Sequence, residues 1–158
     1  MKGPSLLAVA LTAITLSLSA QGTRDIEAIK AVIMQETSSF LGVDRKAWAS
    51  TWLQAPYVYW SYADSTGESF VEGWENLNKT FDQYFKTQRP SSAKITNEWI
   101  EFRVYGNGAY VRFYQTLKDN IDRDQTSQVR VLEKKSNRWK IIYVGAVAKY
   151  PEKGYDRH

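Results

Sequence analysis

The period of the apolar residues changes once along this chain, and that change constrains its fold more than any other feature. Before Arg89-Pro90-Ser91-Ser92 they recur at helical spacing, and after it they alternate. Ile26, Ile29, Ile33 and Phe40 predict a helix over 24–41, with Thr23 as its cap, Asp25 and Glu27 at its positive end and Gly42 as its stop. Asp44 can cap a second, short helix that carries Ala47, Trp48, Thr51 and Trp52 on one side. Pro56 ends that helix, 57–62 reads as a strand, and Asp64 to Gly67 as a turn. A third helix is predicted after Gly73, with Trp74, Leu77, Phe81, Tyr84 and Phe85 along it. Strands then follow at 95–105, 109–118, 126–135 and 138–149, joined by hairpin signals at Asn107-Gly108 and Ser136-Asn137. Three helices followed by a long antiparallel meander predict an α+β fold with the helices laid on one sheet.

The N-terminus carries a different pattern. Lys2, the apolar stretch Leu6 to Leu18 and the small pair Ser19-Ala20 predict a secretory signal over residues 1–20, cleaved before Gln21. That expectation makes the protein exported, periplasmic or secreted, with no membrane attachment after cleavage. The remainder is the length of one domain, taken as 23–150, with 151–158 as a C-terminal tail. The chain has no cysteine, which excludes a disulfide, a thiolate zinc site and a cysteine nucleophile. Its one histidine is His158, the last residue, which removes histidine base and histidine–metal chemistry from the folded body. No metal and no cofactor is expected. The net charge is +4, but the basic residues are dispersed among 17 acids, which argues against nucleic acid as a partner. The densest basic cluster, Lys134, Lys135, Arg138 and Lys140, reads as a solvated group guarding a hairpin.

Alternation assigns side chains to faces. With a two-residue turn at Asn107-Gly108 and a connection centred near Asp122, one sheet face gathers Trp99, Glu101, Arg112, Tyr114, Arg130 and Tyr143. The other face then holds only apolar side chains, among them Ile100, Phe102, Val111, Phe113 and Val144. Arg112 and Arg130 become diagonal neighbours about 7–8 Å apart. Two guanidinium forks among aromatic rings suit a carboxylate or phosphate. The same residues also suit a solvated face with Arg112 paired to Glu101. A bulge in any strand would undo this register. Glu36 falls in the apolar stripe of the first helix, where a carboxylate must be paired or protonated. It is a candidate general base or the holder of a pocket arginine, and equally a structural ion pair. Tyr59 and Trp60 point opposite ways on their strand, so Trp60 is taken as the cavity-facing one.

The order helix–helix–strand–helix–meander resembles the nuclear transport factor 2-like superfamily. The stretch Asp44 to Ser61 (DRKAWASTWLQAPYVYWS) is similar to SnoaL-like domains. Gly108 to Gln115 (GAYVRFYQ) and Val129 to Trp139 (VRVLEKKSNRW) are similar to the association domain of calcium/calmodulin-dependent protein kinase. The resemblance implies a cone-shaped curved sheet with three N-terminal helices packed on it, one internal pocket with arginines at Arg112 and Arg130, and a homodimer formed through the sheet. The chain departs from it where catalysis would reside. The strand Lys140 to Ala148 (KIIYVGAVA) has Tyr143 and Gly145 where those domains carry histidines, and Ala146 in place of a third pocket arginine. The aspartate, tyrosine and protonated aspartate of ketosteroid isomerases correspond roughly to Trp60, Glu36 and Arg130. Three functions stay open. The first is a module binding a small organic anion, with Arg112, Arg130, Glu36, Tyr114, Trp60 and Tyr143 around it. The second is a lyase, isomerase or hydrolase using Glu36 as base. The third is a dimeric structural module with a vestigial pocket.

Overall fold

The computed structural model describes the backbone of residues 6–149 and the side chains of 21–149. The start of the expected signal segment and the tail 151–158, with His158, lie outside the described residues, and 6–20 is described as backbone alone. The first helix, α1, runs Leu6–Leu41 rather than starting at Thr23. Gly22 is the one poor helix former between the apolar stretch and Asp25, and a single helical glycine costs only about 1 kcal/mol. Among the described residues no helix is long and apolar enough to cross a membrane.

Beyond Gly42 the chain reverses through Val43, whose φ of 57° is the left-handed region. Asp44 then caps α2 (Arg45–Thr51), its carboxylate accepting from the Ala47 amide at 2.9 Å. Strand β1 (Tyr59–Asp64) is followed by a strand the periodicity did not announce, β2 (Gly67–Glu72), which closes a short hairpin across Ser65-Thr66. The third predicted helix is two: α3 (Trp74–Thr80) and α4 (Asp82–Thr87). Phe81 separates them with ψ near zero, and its ring lies edge-on to Phe40, Trp48 and Trp60. Asp82 fixes the start of α4 by ion pairs to Arg45 at 2.6 Å and Lys86.

The meander forms as predicted, as β3 (Lys94–Tyr105), β4 (Gly108–Lys118), β5 (Arg123–Lys135) and β6 (Arg138–Ala148). The first hairpin turns at Gly106-Asn107, one residue before the expected Asn107-Gly108, with Gly106 at φ 58°, so Arg112 pairs with Glu101; the last turns at Ser136-Asn137 as expected, both with positive φ as a two-residue type I′ turn requires. The sheet order is β2-β1-β6-β5-β4-β3. Its meander is antiparallel, but β1 joins β6 in parallel, because the long connection through α3 and α4 returns the chain to the far edge. The result is an α+β fold with a curved, unclosed six-stranded sheet. Ile29 and Ile33 of α1, Trp48 of α2, Trp52 at the end of α2, Leu77 of α3 and Val111, Phe113, Leu132 and Ile141 of the sheet form the core.

Two bulges set which side chains face it. One lies between Trp99 and Glu101 in β3, and the other makes Ile142 the extra residue of β6 opposite Val131 and Leu132. Each reverses the alternation of its strand, so Trp139, Ile141, Val144 and Ala146 all turn inward on β6. The expected wholly apolar face is divided, because β5 pairs with β4 in another register than expected. Phe102, Val104, Val111, Phe113 and Val144 pack under the helices, while Val129 and Val131 lie on the outer face with Arg112 and Tyr143 opposite them.

Candidate functional site: a cavity over a buried ion pair

The turn from β4 to β5 decides the site. Asp119 Oδ1 accepts from the amides of Ile121 and Asp122, both at 2.7 Å, and the Asp119 amide donates to the Asp122 carbonyl. This closes a four-residue turn, so Lys118 pairs with Arg123. The turn centres before Asp122, and Tyr114 therefore faces Ser127 rather than Arg130. Arg130 faces Val111 and shares its side of the sheet with Phe113 and Gln115. The two arginines expected together lie on opposite faces. Arg112 is half-exposed on the outside, 3.6 Å from Glu101. Tyr114 is also outside, under the Lys149 ammonium. Tyr143 stacks on Tyr59, which stacks on Phe70 of the edge strand. Neither tyrosine lines the cavity.

Arg130, Glu36 and Trp60 do line it. Arg130 is 3% exposed and Glu36 7%, and Arg130 Nη2 lies 3.3 Å from Glu36 Oε2. The helical stripe thus drops a carboxylate onto the one guanidinium of the inner face. Arg130 Nη1 donates to Gln128 Oε1 at 2.6 Å and to the Val129 carbonyl at 3.2 Å, and the guanidinium rests 5.5 Å over Phe113. Its Nε is buried without a partner. Burial pulls the pKa of Arg130 down and the Glu36 carboxylate pushes back; a guanidinium starts so high that it remains charged. Around the pair runs a chain of polar groups. The Thr37 hydroxyl donates to Glu36 at 3.3 Å, Gln115 Nε2 donates to Thr37 at 3.2 Å and to Asn97 at 3.1 Å, and Gln128 Nε2 donates to Thr126 at 2.6 Å.

The cavity beside this network holds about 190 Å³. One end is polar, with Glu36, Arg130, Gln115 and Gln128; the rest is walled by Phe40, Trp48, Trp60, Tyr62, Phe81 and Leu117. Asp124 stands at its rim. Tyr62, Gln115 and Gln128 were missed by sequence reasoning. Tyr62 follows from Trp60 by parity on β1, and was legible. In the expected register Gln115 and Gln128 fall on opposite faces, and the turn closed by Asp119 brings them onto one. Among the described residues no group of three or more His, Asp or Glu side chains is placed to hold a metal.

No protein-family profile matches the chain, and no curated protein matches it. Solved structures do match by shape. An NTF-2 like protein of unknown function from Shewanella oneidensis MR-1 superposes with a TM-score of 0.62 at 16% identity, over 78% of this chain and 98% of that one. A proposed calcium/calmodulin-dependent protein kinase type II association domain from Thiobacillus denitrificans ATCC 25259 gives 0.62 at 10% identity, over 77% and 94%. A proposed ketosteroid isomerase from Parabacteroides distasonis ATCC 8503 gives 0.57 at 19% identity, over 75% and 86%. With its helices packed on one curved, unclosed sheet, the chain has the nuclear transport factor 2-like fold.

Proposed function

We propose that the protein binds one small, amphipathic molecule in the cavity between α1 and the sheet, and that it is a binding module rather than a catalyst. The observation that carries this is the combination of an aromatic-walled space with a single polar end whose ion pair is already complete. A volume of about 190 Å³ equals that of roughly six liquid waters, below the usual range for drug-sized ligands, so a one-ring molecule is the appropriate size. The sequence pointed to an organic anion. The wall instead offers one cation, Arg130, against the carboxylates of Glu36 and Asp124. A neutral ligand, hydrogen-bonding to Gln128, Gln115 or the free edge of the ion pair, fits that balance better. Glu36 touches the cavity, which is what the alternative of an enzyme with a Glu36 base has in its favour, but its carboxylate already neutralises Arg130.

Benzamide, benzoate and benzylamine are nearly equal in size and differ in charge, so tryptophan fluorescence titrations with the three separate the readings. Benzamide should saturate and benzoate should bind more weakly. Ala146→Phe, which fills the space from β6, should abolish the signal. If none of the three saturates, or if Ala146→Phe leaves binding intact, the cavity is not the site and the vestigial reading stands.

Export and self-association complete the proposal. The signal features of Met1 to Ala20 support release into the periplasm or medium, where N-terminal sequencing should begin at Gln21. Phe70, Ile100 and Val147 remain exposed and support a homodimer through the sheet, which light scattering at micromolar concentration tests.

A further inference from the structure

At the other end of the β5–β6 ladder, α1, α2 and the last hairpin enclose an open groove of about 630 Å³. Four cations border it, Arg24 from α1 and Lys134, Arg138 and Lys140 from the hairpin strands. One carboxylate, Asp25, faces them. Asp25 is buried and already committed: Oδ1 accepts from Lys134 Nζ at 2.5 Å and from Trp139 Nε1 at 3.1 Å, and Oδ2 accepts from Gln21 at 3.2 Å. The Lys134 ammonium also lies 4.9 Å over the Trp139 ring. This pair makes a rigid floor that has no charge left to offer.

The other three cations have no carboxylate partner among the described residues. Arg24 and Arg138 are exposed, and Lys140, half-buried, donates to the carbonyl of Ser50. Burial first, and then the neighbouring Arg138, hold the Lys140 amine below the ordinary lysine range. Like charges gathered in a partly desolvated concavity repel one another, and a bound oxyanion would relieve that repulsion. A monocarboxylate supplies one charge. A phosphate group supplies up to two, with oxygens for both the planar fork of an arginine and the point charge of a lysine.

We propose that this groove binds the phosphate group of a small phosphorylated molecule. The cluster that reads as a solvated hairpin guard in the sequence becomes a recognition site once α1 contributes Arg24 and Asp25 fixes the floor. The site is independent of the cavity, which lies at the other end of α1 and shares no lining residue with it.

Phosphorus-31 NMR titrations at low salt, with inorganic phosphate, pyrophosphate and glycerol phosphate as probes, test the proposal. Saturable one-to-one binding that weakens as salt is raised is expected. Preference for glycerol phosphate over inorganic phosphate would identify an ester, and the reverse order the free ion. Arg138→Ala, at an exposed turn position, should weaken binding by about tenfold, the loss expected for one charge-assisted contact. Arg24→Ala should do the same. Arg112→Ala removes an equal charge from the outer face and should change nothing. Absence of saturation with all three probes overturns the proposal, and so does equal weakening by Arg112→Ala, which would show diffuse attraction to a basic protein. Ala146→Phe should leave phosphate binding intact, so failure of the cavity reading and failure of this one are distinguishable.

Discussion

Removing either partner of the Glu36–Arg130 pair should destabilise the protein, one substitution independently of pH and the other increasingly as pH rises. In Glu36→Gln the guanidinium stays where it is, 3% exposed, and loses its counter-charge. Arginine cannot shed its proton, so the cost is that of a buried unpaired ion, about 3–5 kcal/mol, and it is constant from pH 5 to 8. Arg130→Met leaves a carboxylate in the same place. A carboxylate can escape by binding a proton, and that sets a ceiling on its cost. From an unfolded value near 4.3, neutralising it costs at most about 1.36 × (7 − 4.3), or roughly 3.7 kcal/mol, at pH 7, and about 1 kcal/mol at pH 5. The sign follows from linkage. A buried carboxylate stripped of its counter-ion costs stability only while it is ionised, so the deficit is smallest at low pH and grows as pH rises. Combined in one chain, the two substitutions remove both charges and should cost less than their sum by at least about 1 kcal/mol. Urea denaturation of wild type, both single variants and the double variant, at pH 5, 6 and 7, measures every term, provided the m-values agree. A flat deficit for Arg130→Met across this range would refute the reasoning. So would a Glu36→Gln cost below about 1 kcal/mol, because it would mean that water in the neighbouring cavity hydrates the guanidinium and the pair is not truly desolvated.

Three further outcomes are expected. Trp48, 1% exposed and in ring contact with Phe40, Trp52, Trp74, Phe81 and Phe85, joins α2 to the other helices, and Trp48→Ala should cost about 3–5 kcal/mol by urea denaturation. Gly145 lies under the Tyr143 side chain on the outer face, and a Cβ there would meet the Tyr143 hydroxyl well inside contact distance. Gly145→Ala should therefore swing Tyr143 off Tyr59, costing about 0.5–1.5 kcal/mol and changing near-ultraviolet dichroism, with benzamide binding unchanged. Burial pushes the Asp25 pKa up, but the hydrogen bonds from Lys134, Trp139 and Gln21 outweigh it and hold the carboxyl below its ordinary value. That contribution is present above the unfolded pKa near 3.9 and is lost as pH falls through the folded one, so Asp25→Asn should destabilise by about 1–3 kcal/mol at pH 7 and progressively less below about pH 4.

The parts of this fold that local chemistry dictates were legible. The cap at Asp44, the stop at Gly42, the turn at Ser136-Asn137 and four long strands each follow from a few adjacent residues. β2 was not legible, because Gly67-Glu68-Ser69-Phe70-Val71-Glu72 neither alternates cleanly nor buries a face. It is an edge strand, exposed at four of its first four positions, and its pairing with β1 supplies what its composition lacks. The break at Phe81 was hidden for a related reason: the aromatic spacing fits one helix, and the ring's contacts with Phe40, Trp48 and Trp60 turn the chain there.

The site shows how one undetermined quantity propagates. Glu36 and Trp60 needed only the period of their own element, and both line the cavity. The arginines needed the pairing between strands, which depends on the length of every turn and on each bulge. A turn closed by Asp119 instead of one centred near Asp122 moved β5 three places against β4, an odd number, and a strand displaced by an odd number presents its other face. Arg112 and Arg130 were thereby separated, and Gln115 came to the side of the sheet that Gln128 already shares with Arg130. The bulge at Ile142 then turned Val144 and Ala146 inward and left Tyr143 outside. The chemistry changed with the parity. Two unpaired arginines would have made an anion site, whereas one arginine bound to Glu36 makes a self-neutralised end on an apolar cavity. Three cations without a carboxylate partner among the described residues gather instead around Arg138, where α1 and the last hairpin meet and where the packing of a helix against a turn, invisible to periodicity, brings Arg24 to Lys140.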